Sequence, residues 1–300
     1  MSSEQLPVNG RRACTGLGPE SSKEVSPVNF QGRQGAKLFL IGVGALLLLA
    51  FYAVTDSSYL AHDHALNGSD WLGAAICHRI TGRSFSINGR QLPLCARCTG
   101  MYLGVALTFL TRGLAGRLRR RDLPPLRLLL VLAGFVGLMA VDGLNSYSHF
   151  FPNAPHLYEP RNWLRLATGL GAGLAMGLVL FPALAQTLWR HAEPYAPIDS
   201  GRELAGLVLV AAAAMLLLLS NQPAILYVLA LGSTAGILII VTAINSVLLL
   251  VLLRQDGRAS RWRQAALPLF AGFALAIVQL GALSLLRFNL TGTITGFPGL

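Results

Sequence analysis

Residues 126–145 read LRLLLVLAGFVGLMAVDGLN. From Leu126 to Val141 every residue except Arg127 is apolar or glycine. Twenty helical residues rise about 30 Å, the thickness of a bilayer's hydrocarbon core. The stretch therefore predicts a membrane-spanning helix. It ends on Asp142 and Asn145, so the first costly polar groups fall where the helix leaves the hydrocarbon. Asp142, Asn145, Ser146 and His149 are spaced i, i+3, i+4, i+7 and form one polar stripe.

The same reading extends along the chain. Further apolar runs lie at about 37–55, Cys95 to Arg112, 162–188, 204–220, 224–253 and 265–286. With 126–145 they make about seven spans. The whole chain has 53% apolar and 12% charged residues and a mean hydropathy of +0.56. A soluble domain carries about 25% charge. These figures exclude a soluble globule and bulk disorder. With four cysteines, a disulfide-dense scaffold is excluded too.

The expected fold class is an all-α, polytopic transmembrane helical bundle. Residues 1–36, rich in Gly, Ser, Pro and Asn, read as a disordered cytoplasmic tail. Residues 37–190 form the membrane core, and residues 191–300 add further transmembrane helices.

The net charge of +11 comes from 22 Arg and 2 Lys against 13 acids. Placing the N-terminus inside puts 17 cations in inside segments and 7 outside. That is the asymmetry of an N-inside, C-outside protein. The basicity thus encodes topology, and no nucleic-acid partner is expected. The lipid bilayer is the main partner, and a bacterial inner (plasma) membrane is the expected location. Polar stretch 56–94 is then extracytoplasmic.

That stretch runs into the chemistry. Cys77-His78-Arg79 precedes Arg83-Ser84-Phe85 and then Pro93-Leu94-Cys95-Ala96-Arg97-Cys98-Thr99-Gly100. Pro93 suits the first turn of a helix. Cys95 and Cys98 would share one face at its N-terminus, where the dipole favours thiolate. A CxxC knuckle joined by Cys77 and His78 has the ligand types of a Cys3His site for zinc or another thiophilic ion. The same thiols suit a thiol–disulfide oxidoreductase on the oxidising side, with Cys77 resolving a Cys95–Cys98 disulfide. A single structural disulfide is the bland reading. The loop pair His62 and His64 is a further, weaker metal candidate.

Asp142 and Arg165 stand at matching depth on consecutive antiparallel spans, so they can pair. With Arg97 they are the catalytic candidates, acting on a membrane-proximal or lipid-borne substrate. Asp142–Arg165 could equally gate a transporter, and a structural or assembly subunit also fits. Glycines four apart, Gly100/Gly104 and Gly169/Gly173/Gly177, predict that the second and fourth spans touch. Such faces pack within one chain or between copies, so the oligomeric state stays open.

Several of these residues carry a resemblance. Cys77-His78, Arg83-Ser84-Phe85, Gly89 and the run from Pro93 to Gly104 resemble an uncharacterised family of prokaryotic predicted membrane proteins. Its hallmark is a Cys-His step followed by Cys-x-Arg-Cys-Thr-Gly. Asp142-Gly143 and Arg165-Leu166-Ala167-Thr168-Gly169 are similar to its later Asp-Gly and Arg-x3-Thr-Gly segments. The resemblance covers about 70–177 and implies membrane location and a shared site. It implies no activity.

Overall fold

The computed structural model describes residue 44, residues 66–151, residue 155 and residues 157–296. The 1–36 tail and the His62/His64 loop lie outside the described residues. Of the expected first span, 37–55, only Gly44 is described, and it is helical and buried.

The chain is mostly helical. A short helix α1 (Asn67–Ile76) leads through a 3-10 turn (Thr81–Arg83) into strands β1 (Ser84–Ile87) and β2 (Arg90–Cys95). Six long helices follow: α2 (Ala96–Leu114), α3 (Leu126–Ser148), α4 (Asn162–Leu188), α5 (Gly201–Leu219), α6 (Pro223–Leu252) and α7 (Trp262–Thr291). Five of them, α3 to α7, are long and apolar enough to cross a membrane.

Two expectations need correction, and the second span is one that length and hydropathy do not confirm. The expected second span, α2, is 19 residues long and is not among those five. Arg97, Arg112 and its threonines and glycines lower its hydropathy. It packs against α4 and α6. The all-α reading also overlooks the β-hairpin. Its turn is Asn88-Gly89, both at positive φ (49° and 83°), the pairing that a two-residue type I′ hairpin turn requires. Pro93 sits inside β2, not in the first turn of α2.

Helix association in lipid relies on close packing, because burying apolar surface gains nothing against hydrocarbon. The α2–α4 seam follows that rule. Gly100 and Gly104 of α2 meet backbone atoms of Leu166, Leu170 and Gly173. Gly169 and Gly173 of α4 meet the backbone of Arg97 and Met101, and Gly177 meets Thr108. A Cβ at any of the first four would overlap main chain. The expected contact between these two helices is therefore present. Since residue number rises together along both, α2 and α4 run parallel, with their N-termini at the same end.

Of the five apolar helices, α4 is the most buried and α3 the least, with 61% and 17% of their most apolar windows covered. α3 returns antiparallel beside α4, its Phe135 against Gly171 and its Asp142 near Thr168. α6 and α7 form an antiparallel pair fastened by Asn245 Nδ2 donating to Gln279 Oε1 at 2.9 Å.

Candidate functional site

The hairpin and α1 bring the cysteines together. α1 stops at Cys77, whose N–H still donates to Gly73 O (2.8 Å) while its backbone is already extended. Gly73 lies so close to Pro93 O that a side chain there would overlap it, so α1 packs directly on β2. β2 ends at Cys95, which is also the N-cap residue of α2. Cys98 stands in the first turn of α2. The three sulfur atoms lie within 4.8 Å of one another, and all three are free thiols.

The thiols are enclosed. Cys77 and Cys95 are 2% and 3% exposed, and Leu72, Leu94, Ile237 and Leu280 wall them. Ile237 belongs to α6 and Leu280 to α7, so residues 191–300 contribute to the site and do more than flank it. The Cys95 N–H donates to Cys77 Sγ at 3.2 Å. Hydrogen bonds from the Cys95 and Cys98 thiols, and then backbone N–H donors, hold the Cys77 thiol far below its ordinary range against the penalty of burial.

His78 is half-buried beside them, but its ring is not part of the group of close sulfur ligands. Burial lowers its pKa despite the pull of Cys77. The loop backbone is held from α7: Arg287 donates to the carbonyls of Ala74 (3.0 Å), Cys77, His78 (3.2 Å) and Gly296 (2.7 Å). Arg79, at φ 50°, turns the chain away after His78. Its guanidinium is buried against Asp70 (2.6 Å) and Ile294 O (3.0 Å), and Arg90 completes the Asp70 carboxylate at 2.6 Å. Sequence reading missed Arg287, whose partners Ala74, Cys77 and His78 lie more than 200 residues back along the chain, and also this buried Arg–Asp–Arg group.

The second group lies at the same end. Asp142, 1% exposed, does not take Arg165 as its ion-pair partner. It takes Arg97, whose Nε donates at 3.1 Å and whose Nη2 donates to the same Oδ2. Tyr158 Oη donates to the other oxygen at 2.9 Å, and Thr168 Oγ1 lies at 3.5 Å. Arg165 instead donates to Asn162 Oδ1 (2.8 Å) and Ser146 Oγ (3.4 Å). Asn145 acts as a brace between segments. Its Oδ1 accepts Leu157 N–H at 2.7 Å and its Nδ2 donates to Tyr158 O at 2.8 Å. That pins Tyr158 over Asp142. Arg83 donates to Ser146 O at 3.1 Å and lies over the Phe150 ring, 3.9 Å from its centroid. Burial, and then the charge of Arg97, push its pKa down.

The comparisons bear on this stretch. Residues 77–179 match the family described as predicted membrane proteins, DUF2085. An uncharacterised protein of Methanothermobacter thermautotrophicus is 36% identical over 104 residues, 35% of this chain and 83% of the relative. The uncharacterised protein MJ1492 of Methanocaldococcus jannaschii is 30% identical over 115 residues, 38% of this chain and 67% of the relative. No solved structure matches the chain. The matched stretch begins at Cys77 and contains Cys95, Arg97, Cys98, Asp142 and Arg165. With similarity over most of the length of these relatives, the chain belongs to this uncharacterised family of predicted membrane proteins.

Proposed function

We propose that this is a seven-span protein of a prokaryotic plasma membrane, N-terminus inside and C-terminus outside. Its extracytoplasmic end carries a zinc or another thiophilic ion on Cys77, Cys95 and Cys98. The observation behind this reading is the convergence of three thiols, two of them buried, from three segments to within 4.8 Å. Three thiolates around one zinc, each at about 2.3 Å, lie about 3.8 Å apart. Closing the observed spread therefore takes shifts of about 1 Å or less.

Three protein ligands leave one tetrahedral position for His78, water or substrate. A bound ion would polarise an oxygen or lower the pKa of a bound water. Asp142, Arg97 and Arg165 would then face a membrane-proximal or lipid-borne substrate, with Tyr158 fixing the carboxylate. The topology reading rests on the 17-to-7 division of cations and on α2 to α7 running in alternate directions.

One measurement decides between this and the thiol–disulfide reading, which draws on the same close sulfurs and on the hydrogen-bonded Cys77. Metal content and thiol state are measured on one sample of full-length protein purified without chelator. The metal reading expects one ion per chain, lost in Cys95→Ser, with all three thiols reduced. Metal-free protein whose Cys95 and Cys98 interconvert between thiol and disulfide in cells would replace it with the redox reading.

A further inference from the structure

Three guanidinium groups converge on one residue. Arg83 donates to Ser146 O (3.1 Å), while Arg97 (3.1 Å) and Arg165 (3.4 Å) donate to Ser146 Oγ. They come from three separate places: the 3-10 turn, the first turn of α2 and the first turns of α4. Among the described residues Asp142 is the one carboxylate within ion-pair distance of any of them, and it is spent on Arg97. Among the described residues Arg83 and Arg165 have only neutral partners: a carbonyl, a hydroxyl, an amide and an aromatic ring.

Three guanidinium groups against the one carboxylate among them leave a surplus of positive charge. Like charges this close repel strongly at the low effective dielectric of a protein–lipid boundary. Nor do the helices relieve them. α2 and α4 run parallel, so both positive dipole ends point at this same place. The group is not sealed, since the Arg97 side chain is 22% exposed and Arg83 is only partly buried.

We infer that Arg83, Arg97 and Arg165 bind a phosphate group, held between the N-terminal ends of α2 and α4. A phosphomonoester dianion would balance the surplus charge. Its tetrahedral oxygens suit guanidinium forks arriving from three sides. The inference rests on reading Asp142, Arg97 and Arg165 as the substrate-facing half of the site, and it names that substrate's class. It does not depend on metal at the thiols. The phosphate could belong to a lipid headgroup, which lies at this depth of a bilayer, or to a soluble molecule.

The full chain in phosphatidylcholine nanodiscs is the test object. Thermal stability is followed while inorganic phosphate is titrated, and separately in nanodiscs doped with phosphatidic acid. At least one probe should raise the melting temperature. A response to phosphate identifies a soluble source, and a response to phosphatidic acid alone identifies a lipid. Arg83→Gln should weaken the effective probe about tenfold or more, the worth of one charge-assisted pair. Arg83→Lys should fall between that variant and the native chain. Metal content is measured on the same samples and should be unchanged in Arg83→Gln. Native protein that holds no metal but responds normally to phosphate would overturn the thiol-site reading alone. If neither probe stabilises the native chain, or Arg83→Gln responds as it does, the phosphate site is wrong.

Discussion

The two ends of the helical bundle handle charge in opposite ways. At the thiol end the ionic groups are buried: Asp70, Arg79 and Asp142 are each 1% exposed. At the other end Arg117 meets Glu203 and Arg120 meets Asp199 (3.1 Å), with side chains 21–52% exposed. There the loops after α2 and α4 zip together, Arg121 N–H to Glu193 O (3.0 Å) and Glu193 N–H to Arg119 O (2.7 Å). Trp189 stacks edge-on against Trp262 at 4.6 Å and carries Arg119 over its face. Solvated pairs are interchangeable anchors, worth up to about 1 kcal/mol. Buried ones must be satisfied completely, because a lone charge left behind is costly.

The contrast can be broken by substitution. Asp142→Ala should have the largest effect. It strands Arg97 and releases Tyr158, and should cost about 3–5 kcal/mol, read as a lowered melting temperature in detergent. A loss below about 1 kcal/mol would mean that this end is solvated like the other. Gly173→Ala comes next, at about 1–3 kcal/mol, because the new methyl overlaps the Met101 backbone and α2 must move. Gly206→Ala on the open face of α5, with no atom within 4 Å, is its control and should be neutral or slightly stabilising. Arg117→Gln should be the mildest, about 1 kcal/mol or less, and should shrink further in high salt. Equal losses for Asp142→Ala and Arg117→Gln would erase the distinction between the ends.

Much of this architecture is legible in the sequence, for definite reasons. Hydropathy over about 20 residues marks α3 to α7, because lipid admits little else. Glycines four apart announce the α2–α4 seam, because close approach needs a missing Cβ. Cys77, Cys95 and Cys98 stand out by residue type and spacing. The partner of Asp142 does not. Spacing along a helix fixes which residues share a face, but not which neighbouring helix that face meets. By sequence Arg165, at matching depth on the next span, is the expected partner, and only the parallel placement of α2 beside α4 puts Arg97 on the acid. The hairpin had a readable signal, Asn88-Gly89. It is obscured by Pro93, which suits a helix start as well as a strand. Arg287 carries no local signal, since it acts on carbonyls more than 200 residues back along the chain, and Tyr158 carries none because it lies in the irregular segment before α4.

The glycine seam has a mechanical consequence. Where backbone meets backbone, each carbonyl sits over a glycine, and sliding one helix along the other would bring it onto Leu166, Leu170 or Met101. α2 and α4 are thus locked in register and behave as one rigid body. Arg97 and Arg165, mounted side by side at one end of that body, keep their separation whatever the rest of the bundle does. α3, the least enclosed of the five apolar helices, is the neighbour least tied to that body. Because α3 also carries Asp142 and Ser146, a motion of α3 would switch the acid and the serine away from a fixed pair of arginines.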